Sequence, residues 1–339
     1  ARTRSELARL CLAHQRPGEA ETLARQALAV QEKLLKPEEP ELIVTRLNLG
    51  DALYHQEKYD ELERETTRTL EVFQKVAGED HPQVAVLLRQ LASVRQHQKR
   101  YDDASKLLWR AVRIQEEKLK EHVDLVLSLF ALADIQLDQQ MTGEAESQFR
   151  RALAVWEKLK PEKQPRLVAL ATALARRFYE AGKPDLARDL LRRTLAVADR
   201  VKPAVDALLN EILQPLAWLC AETGEMAEAE KMFQRLLLLQ KRIYETKEHP
   251  VIFVNMAAYI HVLRMLEKED EMMKTIETAE RLRGGAVQRQ LDVARRLRES
   301  GQLADAQRAE EMAERIRTQS LTDPFPQPIP LPSYRLPAP

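Results

Sequence analysis

Apolar residues recur every three to four positions along most of this chain, which is the spacing of one face of an α-helix. The alternation of Val, Ile and Thr that is typical of β-strands is absent. Prolines and glycines fall between the periodic stretches, where they end one helix and start the next. The pattern therefore predicts an all-α chain.

The helical pattern itself repeats along the chain. The residues that open every second helix, most of them small, are 42, 42, 41, 42, 42, 43 and 34 positions apart, and a second column of mostly small residues lies twelve positions before them. Antiparallel helices approach closely only where side chains are small. The first column consists of Ala20, Leu62, Ala104, Ala145, Ala187, Ala229, Met272 and Ala306, and the second of Ala8, Gly50, Ala92, Ala133, Ala175, Ala217, Ile260 and Ala294.

These columns predict eight helical hairpins over residues 1–318. We expect the seventh hairpin to be the least regular, because Ile260 and Met272 replace small residues and Gly284-Gly285 is expected to end it. The expected bounds are about 1–36, 38–78, 80–120, 122–161, 163–203, 205–247, 249–284 and 287–318. The charged last hairpin fits a polar cap of the stack, whereas the first helix has no N-cap residue.

The repeat resembles the tetratricopeptide repeat in its longer variety, as in kinesin light chain and nephrocystin-type arrays. The segments GEDHPQVAVLLRQLASV (78–94) and AVRIQEEKL (111–119) carry the likeness best, which extends over residues 1–318. The resemblance implies a right-handed α-solenoid whose first helices line a concave groove that binds a protein partner.

The resemblance also implies which residues face the groove. In such arrays they lie one and five positions after the small residue of the first helix, and three before it. Asn48 stands where peptide-binding members often place an asparagine that holds the ligand backbone, and the middle of the groove is acidic, so we expect a ligand with a basic or polar segment. The other predicted groove residues are Asp51, His55, Arg89, Ser93, His97, Phe130, Asp134, Asp138, Arg176, Glu180, Trp218, Glu222 and His261.

The composition changes after Ser320. Prolines at 324, 326, 328, 330, 332, 337 and 339 exclude a helix and favour an extended, polyproline-like tail over residues 319–339. This tail is either a solvated, disordered segment or a docking peptide. The second interpretation rests on its apolar residues, Phe325, Ile329, Leu331, Tyr334 and Leu336.

Charge and cysteine content exclude several other classes. The 53 basic and 53 acidic side chains interleave along the helices, which argues against nucleic acid or anionic lipid as the main partner. No apolar run approaches the roughly 18 residues of a membrane span. The two cysteines, Cys11 and Cys220, are too few and too far apart for a disulfide framework or a metal motif. Their small number fits a reducing compartment, and we expect a cytoplasmic location.

The sequence contains no catalytic signature, with neither HExxH, nor a phosphate-binding loop, nor GxSxG. His81 and His249 each precede a proline at a helix start, which predicts a boundary role. His55 and His97 could face each other, but no further metal ligands can be placed around them. We therefore expect no enzyme activity, no cofactor and no metal.

Three functional hypotheses remain open. The first is a non-catalytic scaffold or adaptor that binds a peptide or partner segment in its concave groove. The second is a structural subunit of a larger assembly, docked through its first hairpin and its proline-rich tail. The third is the repeat region of a longer regulatory protein. The oligomeric state stays open.

Overall fold

The computed structural model of the chain describes residues 2–36, 39–159, 165–200, 206–244 and 249–318, together with Leu321. Within these residues the chain forms fifteen α-helices and no β-strand, and none of the helices is long and apolar enough to cross a lipid bilayer. The helices are α1 (Arg2–Ala13), α2 (Pro17–Leu34), α3 (Pro40–His55), α4 (Tyr59–Ala77), α5 (Pro82–His97), α6 (Tyr101–Lys118), α7 (Val123–Asp138), α8 (Thr142–Lys158), α9 (Pro165–Glu180), α10 (Pro184–Ala198), α11 (Asp206–Glu222), α12 (Met226–Ile243), α13 (Pro250–Met265), α14 (Glu269–Glu299) and α15 (Leu303–Thr318).

The helices divide into two compact units, α1 to α8 and α9 to α15. Within each unit, consecutive helices pack against each other, so that helical hairpins stack in chain order. First helices of neighbouring hairpins also touch, as α1 touches α3 and α9 touches α11. Each unit is therefore a short solenoid of stacked hairpins, and the predicted all-α repeat fold is confirmed.

The small-residue columns lie where helices approach each other most closely. The alanines of the first column are fully buried: Ala20, Ala104, Ala145, Ala187, Ala229 and Ala306. In the second column, a Cβ atom on Gly50 would lie only 2.0 Å from Nε2 of Gln90 on α5. Small residues permit this close approach, and Leu62 and Ile260 are accommodated, fully buried, at two of the positions.

Every hairpin turns through one left-handed residue, always five positions before the first-column residue. The residue after it donates its backbone N–H to the carbonyl five positions earlier, as Arg16 does to Cys11 (2.9 Å) and Glu225 to Cys220 (2.8 Å). This hydrogen bond closes a Schellman turn at the end of the first helix. The left-handed residues are Gln15, Glu57, Lys99, Gln140, Gly182, Gly224, Glu267 and Gly301.

Three helices of the described chain begin at a histidine that caps them. The Nδ1 atom of His81 accepts a hydrogen bond from the backbone N–H of Gln83 at 3.2 Å, and His249 accepts one from Val251 at 3.3 Å. His122 does the same for Asp124 at 3.1 Å. The boundary role predicted for His81 and His249 is thus confirmed, and its physical basis is N-capping of the free amides at a helix start.

The predicted end of the seventh hairpin at Gly284-Gly285 is wrong. Helix α14 runs without interruption through both glycines, and Arg283 just before them lies over the ring of Phe253 on α13 at 5.4 Å. The glycines tolerate helical dihedrals, and neither a proline nor a capping residue follows them to reverse the chain. The first half of α14 therefore pairs with α13 and the second half with α15.

The two halves of α14 differ in their packing. In the second to seventh hairpins, the residue preceding the second-column position is buried, as Leu132 and Leu216 are. The equivalent Val293, in the second half of α14, is 42% exposed, and Leu7 of the first hairpin is 46% exposed. At this position the second half of α14 therefore resembles α1 rather than the first helices between them.

Polar side chains join neighbouring hairpins at their edges. Glu21 on α2 accepts hydrogen bonds from Lys58 Nζ (2.8 Å), Gln56 Nε2 (2.7 Å) and Arg25 Nη2 (2.9 Å). Burial by itself would raise the pKa of Glu21, but these donors outweigh it and lower the pKa to about 2. Glu21 thus links the first hairpin to the second through its charged form.

We expect Gly284→Ala to stabilise the protein by about 0.5–1 kcal/mol, because alanine loses less backbone entropy than glycine in a helix interior. A Cβ atom at either Gly284 or Gly224 would meet no neighbouring atom, but Gly224 has φ +82. The matched change Gly224→Ala should therefore destabilise the protein by about 1 kcal/mol. Urea unfolding followed by circular dichroism measures both, and a destabilising Gly284→Ala would contradict the uninterrupted helix.

We expect Glu21→Gln to lower the free energy of unfolding by about 1 kcal/mol at pH 7, after allowance for the partial exposure of the pair. The pKa of Glu21 is lower in the folded state, so its stabilisation is complete above pH 4.5 and is lost as the pH falls towards about 2. The difference in free energy of unfolding between the variant and the wild type, measured by urea titration, should therefore become smaller as the pH falls over this range. Glu71→Gln on the exposed surface of α4 is the control and should change stability by less than about 0.5 kcal/mol at either pH.

Candidate functional site

A cleft in the second unit lies between the first helices α9, α11 and α13, and about 580 Å³ of it is not filled by atoms. Its walls carry mainly apolar side chains, together with a few polar groups at the edge. The lining residues are Arg176 and Tyr179 of α9, Leu191 of α10, Gln214, Pro215, Trp218, Leu219 and Glu222 of α11, and Val251, Val254 and Asn255 of α13.

The floor of the cleft is held by a chain of amide hydrogen bonds. Trp218 Nε1 donates to Asn255 Oδ1 at 3.0 Å, and Asn255 Nδ2 donates to Gln240 Oε1 at 3.2 Å. Gln240 Nε2 then donates to Asn210 Oδ1 at 3.0 Å. Trp218, Gln240 and Asn255 are all buried, so these bonds satisfy polar groups that water cannot reach. The indole ring is thereby fixed in place.

The rim of the cleft is charged. Arg176 forms an ion pair with Glu180, one helical turn further along α9, at 3.2 Å. The hydroxyl of Tyr179 donates to Glu222 Oε1 at 3.2 Å across the two first helices. Burial first, and then the negative charge of Glu222, raise the pKa of Tyr179, so its hydroxyl stays protonated and keeps donating.

Of the fourteen predicted groove residues, the structure brings Arg176, Trp218 and Glu222 together in this cleft, and Glu180 pairs with Arg176 beside it. His261 lies half-buried on the later part of α13, outside the lining. Burial, and then Arg264, lower its pKa, which favours the neutral ring. Three of the residues predicted from the family pattern therefore line this cleft, on α9 and α11.

The first unit contains the other predicted residues, and some of them are buried. Phe130 is 1% exposed and packs against Phe149 and Trp156, so its predicted place in an open groove is wrong. Asn48 is also buried, and its amide donates to Ser5 O at 3.1 Å, so its predicted availability to a ligand backbone is wrong too. Asn48 is thus covered by the preceding first helix α1, and Phe130 is covered by α8, the second helix of its own hairpin.

Three more predicted residues lie buried in the first unit. Ser93 donates its hydroxyl to Gln90 O, one turn back on α5, at 2.7 Å, and Arg89 on the same helix is 5% exposed. Asp134 accepts a hydrogen bond from Gln96 Nε2 at 2.7 Å. The expectation that these three face an open groove is therefore corrected, because all three are buried and Asp134 is held at the contact between α5 and α7.

The remaining predicted residues of the first unit reach the surface. Asp51 and Asp138 are half-buried, while His55 and His97 are exposed. Asp138 shares the Gln96 amide with Asp134 at 2.8 Å, and the ring of His97 stacks on Tyr59 with centroids 3.9 Å apart. The sequence suggested that His55 and His97 could face each other. In the structure the ring of His97 stacks on Tyr59. The tail residues Phe325, Ile329, Leu331, Tyr334 and Leu336 lie outside the described residues.

Several cleft residues were missed by the pattern. Val251, Val254 and Asn255 lie on the first turns of α13, earlier than the groove positions of the family, and Pro215 lies inside α11. A proline within a helix is unusual, and Pro215 was the one signal in the sequence that could have indicated a cleft at this part of α11.

Among the described residues, one cluster has the composition of a metal site. The sulfur of Cys220 and carboxylate oxygens of Glu225 and Glu228 lie within 4.8 Å of one another. However, Arg192 donates to both carboxylates, at 2.7 Å to Glu225 and 2.9 Å to Glu228. Burial raises the pKa of Cys220 to about 12, so the thiol is not a ready ligand. The cluster is an ion-pair network between α10 and α12.

Stacked hairpins with a shared turn and a cleft along their first helices define a helical-repeat protein of the α-solenoid class. Models of the tetratricopeptide repeat match residues 41–117, 83–158 and 124–200, and a further one matches residues 1–41. Together they cover residues 1–200 of 339, and the chain belongs to the tetratricopeptide repeat family. Repeats of this family generally form non-catalytic scaffolds for protein interaction.

Solved structures share this architecture. BtubC (BKLC) from P. vanneervenii is 18% identical with a TM-score of 0.55, over 69% of this chain and 93% of that one. The tetratricopeptide sensor-containing STAND protein PH0952 from Pyrococcus horikoshii is 15% identical with a TM-score of 0.56, over 82% and 41%. A putative kinesin light chain from Podosopora anserina with nearly identical TPR-like repeats is 25% identical with a TM-score of 0.45, over 60% and 96%. No curated protein matches the sequence.

We expect Asn255→Ala to destabilise the protein by about 2–4 kcal/mol, because it removes the partners of two buried polar groups, Trp218 Nε1 and Gln240 Oε1. Gln214→Ala in the same cleft is the control and should cost less than about 1 kcal/mol, since Gln214 is only half-buried. Urea unfolding measures both changes. Equal effects would show that the amide chain does not hold the floor.

Proposed function

We propose that this protein is a non-catalytic interaction scaffold that holds an apolar segment of a partner peptide in the cleft between α9, α11 and α13. One observation carries the proposal: the cleft has a mainly apolar wall in which the indole of Trp218 is already held by a hydrogen bond to Asn255. Such a wall is built before any ligand arrives, and binding need not reorganise it.

The apolar lining supplies the driving force for binding. Pro215, Trp218, Leu219, Val251 and Val254 surround the open space. Burying one Leu-sized side chain there contributes about 1.5–3 kcal/mol, so one or two anchors with some backbone contacts support micromolar binding. A short peptide segment fits the cleft better than a broad flat protein surface does.

The rim supports a charge preference beside the anchor. Glu180 and Glu222 are both exposed, and Arg176 is half-buried with its guanidinium paired to Glu180. The two carboxylates against one guanidinium leave a net negative rim, which favours a lysine or arginine next to the apolar anchor. This preference agrees with the basic or polar ligand segment expected for the middle of the groove.

Nothing on the cleft wall is suited to nucleophilic chemistry. The nearest thiol along α11, that of Cys220, is fully buried and has its pKa raised to about 12 by that burial. The tyrosine hydroxyl at the rim also has a raised pKa. Both observations support binding rather than catalysis. A cytoplasmic location and a role as a permanent assembly subunit stay predictions.

Phage display of random peptides on the full-length chain tests the proposal. We expect selection of peptides with an apolar anchor flanked by Lys or Arg. Val251→Glu should weaken their binding at least tenfold, because it places a charge in the apolar wall, while an acidic residue in the first turn of α13 leaves the helix stable.

Leu238→Glu is the matched control. Leu238 lies on α12 of the same unit, is 65% exposed and does not line the cleft. It should leave the affinity unchanged in fluorescence anisotropy. Selected peptides that bind the Val251→Glu variant as tightly as the wild type would refute the cleft as the binding site.

A further inference from the structure

The chain beyond α15 returns to the helix that forms one wall of the cleft. Leu321 is 6% exposed, and its carbonyl accepts a hydrogen bond from Arg264 Nη2 of α13 at 3.2 Å. Arg283 Nη1 also donates to the carbonyl of Arg317 at the end of α15, at 3.4 Å. Leu321, at the start of the proline-rich tail, is thus held against α13.

The tail is long enough to enter the cleft from this point. Arg264 and Val251 are 13 residues apart on α13, which corresponds to about 20 Å along the helix axis. Eighteen residues follow Leu321, and an extended polyproline segment advances about 3.1 Å per residue. Eight residues of tail therefore span about 25 Å, which brings the end of the segment 324–332, with Ile329 and Leu331, within reach of Val251 and Val254.

The polar side chains at the floor of the cleft already hydrogen-bond to one another. The floor therefore favours a ligand with few hydrogen-bond donors. Trp218 and Asn255, which line the cleft, are hydrogen-bonded to each other, so a peptide N–H pressed against these two side chains gains little in exchange for the water it loses. In the sequence PFPQPIPLP (324–332) every second residue is a proline, which has no backbone N–H. Such a segment can cover the wall at the smallest cost in hydrogen bonds.

The side chains also match. Aromatic rings are the usual partners of polyproline helices, and the cleft presents Trp218 and Tyr179. Ile329 and Leu331 supply the apolar anchors that the lining of Val251, Val254 and Leu219 can bury. A segment that is already extended loses little conformational entropy on binding.

We propose that residues 324–332 of this chain occupy its own cleft between α9, α11 and α13 and compete there with partner peptides. The inference rests on the cleft being the binding site of the proposed function. Short tethers produce effective concentrations of roughly 1–10 mM. A tail segment with an intrinsic dissociation constant of about 100 μM would thus weaken partner binding about 10- to 100-fold.

Binding in trans tests the proposal with a fluorescent peptide of residues 322–339 and a chain that ends at Leu321. We expect the shortened chain to bind this peptide, and the full-length chain to bind it at least tenfold more weakly because its own tail is in place. Circular dichroism melting of both chains checks that removal of the tail leaves the fold intact.

Point substitutions in the chain and in the peptide identify where the tail peptide contacts the cleft wall. In the shortened chain, Val251→Glu should reduce binding of the tail peptide at least tenfold, whereas Leu238→Glu should not change it. Replacement of Pro326, Pro328 and Pro330 by alanine in the peptide should weaken binding at least threefold, because it restores three backbone N–H donors.

The outcomes separate this inference from the proposed function. Failure of the tail peptide to bind, or equal binding to the Val251→Glu variant, would overturn the tail as occupant, while display-selected peptides that still depend on Val251 would leave the proposed function standing. The affinity of the full-length chain for the tail peptide could also fall further as the protein concentration rises. This result would mean that the tail of a second copy fills the cleft, and it would overturn occupation by the chain's own tail.

Discussion

The structure depends on one backbone arrangement, the left-handed turn at the end of the first helix of each hairpin. The amide that follows it bonds back to the carbonyl five residues earlier, which ends the helix and sends the chain back alongside it. In five of the eight hairpins the left-handed residue is not glycine, as with Gln15 and Glu267, and this conformation costs energy. The packing of the small-residue columns offsets that cost, so turn and columns keep the same spacing throughout.

The cleft of the second unit is a consequence of how first helices lie beside each other. In the first unit, Asn48 fills the contact between the first helices α3 and α1, and Phe130 packs against α8 within its own hairpin. Between α9, α11 and α13 the corresponding space stays open, and the amide chain from Trp218 to Asn210 holds its floor. A floor whose polar groups are mutually satisfied is both stable and selective, since it favours ligands that bring few hydrogen-bond donors.

The uninterrupted helix α14 determines where α15 and Leu321 pack. At the joints α2–α3, α4–α5 and α6–α7 one helix ends and another begins, but through Gly284-Gly285 the chain continues as a single helix. Helix α15 then packs back along α14 and delivers Leu321 to Arg264 of α13. Because α14 does not end at Gly284-Gly285, the start of the proline-rich tail lies against α13, the helix that also forms a wall of the cleft.

By itself, the sequence determined the repeat, since small residues, helix periodicity and turn residues act over a few positions and leave a pattern that can be counted. The hairpins and the boundary histidines His81 and His249 followed from it. The tertiary structure decided which of the predicted groove positions are open, because Asn48 is covered by Ser5 of α1, 43 residues earlier, and Phe130 is covered by Phe149 of α8. It also decided the path through Gly284-Gly285, where glycine permits either a turn or a helix and only packing, as of Arg283 on Phe253, distinguishes the two.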